Sequence, residues 1–159
     1  MIDEDVFFDD VKGALNKIYP HAYFSSWTGA EIHELTDSKP NDYTLFSNQF
    51  ESDQVVSYFN QKVFLKKTPK TTAEHILTIE SPNGFFRVSD IHQTVVDCFF
   101  DVKLAGGKEI IKDVIESYKS SENADFTILV QCAKKSNMPH VVSSLLKLSS
   151  HFEISGDTQ

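Results

Sequence analysis

The chain has 159 residues, 40% of them hydrophobic and 24% charged, an ordinary globular composition that suffices for one domain with its own core and argues against disorder. Fifteen Lys plus Arg against 23 Asp plus Glu leave a formal charge of −8, and such a body repels a polyanion, because nucleic-acid affinity comes largely from cations displacing counterions. Only one of the fifteen cations is Arg, Arg87, so sequence-specific DNA reading by this chain alone is not expected.

Helical spacing comes first along the chain. Val6, Phe7, Val11, Leu15 and Ile18 recur at three- and four-residue steps and predict one helix ending at Pro20, with Asp3, Glu4 and Asp5 at its positive end. A second short helix opens at Ser25 or Ser26 as N-cap and runs through Trp27, Ala30, Ile32 and Leu35. From Asn41 to Val88 the pattern changes to short β-branched and aromatic runs, DYTLFS, DQVVSYF, QKVFLKK, HILTIES and GFFRVS. These predict about five strands, mainly antiparallel because the connections are too short for helical crossovers, with a turn at Ser81-Pro82-Asn83-Gly84. Helices return after Ser89: one capped by Ser89 or Asp90, a break at Ala105-Gly106-Gly107, then stripes over GKEIIKDVIESYK, Ala124–Ser136 and Pro139–Phe152. The fold class is α+β, N-terminal helices, a central sheet and a helical half, in one domain over residues 1–152 with a frayed, flexible tail at 153–159. Thirteen Phe residues place aromatics in the core.

Cys98 and Cys132 lie within the apolar runs VVDCFF and ILVQCA and read as small buried hydrophobes rather than disulfide partners. No apolar run approaches the roughly 20 residues that span a bilayer, and the first ten residues are acidic, unlike a signal peptide. A cytoplasmic protein without membrane contact is expected.

Catalytic and metal chemistry find little support. His21, His33, His75, His92, His140 and His151 are scattered without the spacing of a helical metal site, and neither Cys has a neighbouring Cys. Gly106-Gly107 lacks the flanking Lys and Ser or Thr of a phosphate-binding loop. Neither a metal nor another cofactor is expected. Acid-x-Lys triplets occur at Asp10-Val11-Lys12, Asp37-Ser38-Lys39 and Asp101-Val102-Lys103, close to the roughly two that chance supplies at this composition. Lys62, Lys66, Lys67 and Lys70 form a run of cations with no acid between them. They read either as lysines protecting a solvent-exposed edge strand from pairing, or as a ridge that docks a phosphate or an acidic partner. Val63 and Leu65 alternate with them and face the core in both readings.

Two stretches carry a resemblance. Residues 22–36, AYFSSWTGAEIHELT, and the later Arg87-Val88-Ser89-Asp90, Thr94-Val95-Val96-Asp97-Cys98 and Leu104-Ala105-Gly106-Gly107 together resemble the paired motifs of AbiEi-type, or type IV, antitoxins. The resemblance spans roughly residues 5–150. It implies an antitoxin domain in a toxin–antitoxin or phage-defence system, opposing a nucleotidyltransferase-like toxin that it need not bind directly. A homodimer stays open. The family's N-terminal winged helix, which binds its own promoter, has no counterpart in the roughly 20 residues before the first motif, so DNA contact is expected only through such a missing domain. Gly29-Ala30 and Glu34 depart from the family pattern, which has Ala-Leu and Gly at these places. Of the matched residues, Ser26, Trp27, Arg87, Thr94, Asp97, Gly106 and Gly107 read mainly as fold determinants and alternatively as partner contacts. Asp97 is expected to be half-buried, with Arg87 as its partner. The rival reading is a diverged metal-dependent nuclease or nucleotidyltransferase-related domain, whose mark would be three acids within about 5 Å beside a Lys.

Overall fold

The computed structural model describes residues 2–69 and 74–147. Lys70 and the segment beyond Lys147, including the expected tail, lie outside them. In chain order come α1 (Glu4–Asp9), α2 (Val11–Ile18), β1 (Tyr23–Phe24), α3 (Ser26–Ile32), β2 (Tyr43–Ser47), β3 (Gln54–Tyr58), β4 (Gln61–Lys67), β5 (Ile76–Ser81), β6 (Gly84–Ser89), α4 (Ile91–Phe100), α5 (Lys108–Ser120), α6 (Phe126–Lys135) and α7 (Pro139–Lys147). The class is α+β, as the sequence predicts.

The first helix is two helices. Asp10 ends α1 and caps α2, with Oδ1 accepting from the Gly13 N–H at 3.0 Å. Its Oδ2 accepts from Ser81 Oγ at 2.7 Å and from the Asn83 N–H at 3.0 Å, which ties the N-terminal helices to the β5–β6 turn. A Cβ on Gly13 would collide with that carboxylate, so the tight approach needs glycine. Burial disfavours the charge of Asp10, but these hydrogen bonds and nearby Lys17 outweigh it, and its carboxyl lies below the usual range. A depressed folded pKa stabilises the fold above the unfolded value and loses that contribution as pH falls through the folded one. The thermal midpoint of Asp10→Asn should therefore lie below that of the parent at pH 7, and the gap should close below about pH 4. A gap independent of pH in calorimetric scans would contradict this role.

The sheet has six strands rather than five, in the order β3-β4-β2-β1-β6-β5. It is mixed, with antiparallel pairing predominating as expected: β1–β2, β3–β4 and β5–β6 are antiparallel, whereas β1–β6 and β2–β4 run parallel. The additional strand, β1, is two residues long, yet it alone joins the β3-β4-β2 half to the β6-β5 half. The tight β3–β4 hairpin turns at Phe59-Asn60, both with positive φ, which suits the right-handed twist of its strands.

β4 is an interior strand, paired on both sides, and the exposed edges are β3 and β5. The edge position expected from its lysines is thus corrected. Lysine alternation fits any strand with one wet face, and nothing local says that the hairpin partner β3 lies outward. Val63 and Leu65 do face the core, as expected.

Helices cover both faces of the sheet. Phe24, Leu45, Val63, Leu65, Phe86 and Val88 pack with Phe7, Ala14 and Leu15 of α1 and α2. On the other side α3 and α4 lie against the sheet, and α5 to α7 pack on α4 through Val95, Cys98, Val114, Tyr118, Leu129 and Leu145. Phe7, Phe24, Phe46 and Tyr118 are among the largest fully buried side chains, so aromatics do build the core. Among the described residues no helix is long and apolar enough to cross a membrane.

Candidate functional site

The two sequence segments that carry the resemblance meet in one buried cluster at the end of β1. Asp97, on α4, is wholly buried rather than half-buried. Its Oδ2 accepts from Ser25 Oγ at 2.6 Å and from Tyr23 Oη at 3.0 Å, and its Oδ1 accepts from Gln93 Nε2 at 2.8 Å. Burial and the adjacent carboxylate push the Tyr23 hydroxyl far above its ordinary value, so it remains a donor. Ser89 Oγ lies 2.8 Å from Ser25 Oγ and 2.6 Å from Thr94 Oγ1. Each hydroxyl has one proton to give and lone pairs to accept. Because Ser25 donates to Asp97, the chain runs in one direction, Thr94 to Ser89 to Ser25 to Asp97. Engaged in this way, Ser25 makes no side-chain capping bond to α3, although it holds the N-cap position.

Arg87 does not supply the expected partnership. Its guanidinium donates to the Ala22 carbonyl, at 3.1 Å from the terminal nitrogen, while its own N–H donates to Asn16 Oδ1 at 2.6 Å. On the β6 strand the side chain is committed to the seam between β1 and α2. The donors around Asp97 are instead Tyr23, Ser25 and Gln93, none of which stands out in the sequence, because polar residues inside apolar runs look like any solvated position. Gln93 carries the network onward: its Oε1 accepts from the Cys132 thiol at 2.9 Å, which links α4 to α6.

The remaining motif residues are packing devices. Gly29 admits α3 close to α4, since a Cβ there would sit 3.0 Å from Thr94 Oγ1 and 3.1 Å from Ser89 Oγ. Trp27 Nε1 donates to the Ser38 carbonyl at 2.8 Å, and its ring lies over Gly106. Gly106 and Gly107 both take positive φ, between the break after α4 and the start of α5. Ser26, buried at φ 59, opens α3; its Oγ has no conventional hydrogen-bond partner and lies beside the Cys98 thiol. Burial, then Asp97, push that thiol well up, so it is a protonated core group rather than a nucleophile. His33 of the first segment reaches the Ser89 carbonyl of the second at 2.5 Å.

The lysine run does not act as a unit. Lys62 and Lys67 are exposed, whereas Lys66 is mostly buried between two carboxylates, 2.9 Å from Asp53 Oδ2 and 3.0 Å from Asp101 Oδ2. Its ammonium also lies 5.2 Å from the centre of the Phe100 ring. Burial opposes the Lys66 charge, but the two carboxylates more than offset it and hold its pKa above the ordinary value. The lysine thereby fastens the sheet to the α4–α5 connection. A cleft of about 380 Å³ opens beside this clasp, lined by Trp27, Thr44, Phe64, Asp101, Lys103 and Leu104 among others. Asp53 and Asp101 are a pair of acids and not a trio, and the Lys66 ammonium occupies the space between them. Among the described residues no group of three or more His, Cys, Asp and Glu side chains could hold a metal ion.

The fold and this cluster define an α+β domain whose matched residues brace helices against a seam in a mixed sheet. No protein-family model matches the chain, and no curated protein matches it at a significant level.

Proposed function

We propose that this is a non-catalytic antitoxin-type domain of a type IV toxin–antitoxin or phage-defence system, acting in the cytoplasm against a nucleotidyltransferase-like toxin. The observation that carries the reading is the convergence of the two resembling segments. Ser25 and Tyr23 from the first bond Asp97 of the second, His33 bonds the Ser89 carbonyl, and Trp27 packs on Gly106. A motif of structural origin requires its two segments to pack together, and this packing supports the reading. Their roles here are structural, which suits a domain that works through its surface and not through a reactive centre. Promoter contact in this reading belongs to a winged helix of the kind the family carries, because a net charge of −8 disfavours DNA.

The test is growth of cells that express the nucleotidyltransferase-like toxin this reading implies, with and without this chain. The parent chain should restore growth. Lys62→Glu combined with Lys67→Glu, both at exposed positions, should leave the melting temperature unchanged and weaken the rescue. Lys66→Glu should instead lower the melting temperature, because it sets a third carboxylate against Asp53 and Asp101. A folded, well-expressed parent chain that gives no rescue would sink the antitoxin reading, and full rescue by the double variant would remove the lysines from it.

A further inference from the structure

A groove on the helical half points to a binding surface that the antitoxin reading does not require. It has a volume of about 920 Å³ and runs between α5 and α7, with Phe99, Val102, Ile111 and Ile115 along it. Four lysines line it, Lys108, Lys112, Lys119 and Lys147, against one acid, Glu116. On α5, Lys108, Lys112, Ile115 and Lys119 follow steps of four, three and four residues, so they share one helical face. Among the described residues Lys108, Lys112 and Lys147 take part in no ion pair. In a chain of net charge −8, this is a local reversal of sign laid over apolar surface.

We propose that the groove receives an acidic amphipathic helix from a partner protein. Such a helix would set its apolar side chains against Phe99, Val102 and Ile115 and its carboxylates against the lysine rim. The chemistry selects this occupant. A helix lying in a groove offers apolar anchors at three- and four-residue steps, and acids flanking them meet the opposite charge that steers association. A nucleic-acid backbone would meet the lysines but brings no side chains for the apolar floor, and the rest of the molecule repels a long polyanion. A flat anionic bilayer meets the rim lysines without entering a concave floor. Among the described helices of a second copy, the acidic α1 is six residues long and already packed through Phe7.

The probe is a fluorescent synthetic peptide of about four turns, with Leu at successive three- and four-residue steps and Glu at the positions between. Binding is read by anisotropy at about 0.15 M ionic strength. The intact chain should bind it saturably, and Lys108→Glu with Lys112→Glu should weaken binding by roughly tenfold or more. Ile115→Asp should do the same, while Lys39→Glu with Lys134→Glu, away from the groove, should leave affinity unchanged. Circular dichroism and melting temperature establish that each variant is folded; if Ile115→Asp is not, the exposed lysine pair decides alone. The proposal is overturned by absence of saturable binding, by equal binding of a scrambled peptide of the same composition, or by indifference to the lysine reversal. Preferential binding of an oligonucleotide or an anionic vesicle, or lysine-dependent self-association in sedimentation, would also overturn it by assigning the groove another occupant.

Discussion

Asp97→Ala should destabilise the domain by about 3–5 kcal/mol, a large part of the stability of a domain this size. The carboxylate accepts from Ser25 Oγ, Tyr23 Oη and Gln93 Nε2, and removing it strands buried donors at about 1–3 kcal/mol each. The site also matters by position. Tyr23 belongs to β1, the two-residue strand that joins the halves of the sheet, and Ser25 follows directly after it. Losing the anchor from α4 loosens that seam where its own ladder is shortest. Asp97→Asn keeps an acceptor and should cost less, about 1–3 kcal/mol, because the Ser25 and Tyr23 hydroxyls can turn to accept from its amide. Chemical denaturation of the two variants checks this order. Two variants that unfold with the parent would show that the buried network is energetically idle.

Gly106→Ala should cost about 2–4 kcal/mol, combining backbone strain at positive φ with side-chain displacement. At φ 96, an added Cβ would lie 2.7 Å from Ile110 Cγ1 and 2.9 Å from Trp27 Cε3. Gly107 supplies the control within the same loop. It has nearly the same φ, 95, but a Cβ there meets nothing within 4 Å. Gly107→Ala should therefore show the backbone strain alone, about 1–2 kcal/mol. The difference between the two variants measures the packing of Trp27 and Ile110 against the loop. Equal losses would mean that this packing contributes nothing.

The local elements were legible where hydrophobic periodicity and turn chemistry agree. The five longer strands lie where their β-branched and aromatic runs place them, and Asp90, Gly106 and Gly107 punctuate the helical half. Three features were hidden for physical reasons. Asp10 fits the continuous helical stripe from Val6 to Ile18, and only its contacts with Ser81 and Asn83, far along the chain, reveal a break. β1 is too short to show a period, yet it joins the two halves of the sheet. The position of β4 depends on which way its hairpin faces, which its own residues do not encode.

Among the candidate site residues, Asp97, Trp27, Thr94 and the two glycines carried a signal through the resemblance. Their spatial meeting needed the fold. Arg87 was the natural partner for Asp97 by charge alone, but hydroxyls and an amide satisfy a wholly buried carboxylate without importing a second charge. Lys66 differs from its neighbours only through Asp53 and Asp101, one in the turn before β3 and one after α4, neither near it in sequence.

The proposed function is action by contact and not by turnover. The most direct measurement is a reconstituted toxin assay in which the purified chain is titrated from trace amounts to an excess over the toxin and its target. Protection should rise in proportion to the chain added, level off at stoichiometric occupancy and not increase with incubation time. Progressive and complete protection from a trace amount of chain would contradict it and establish an enzyme.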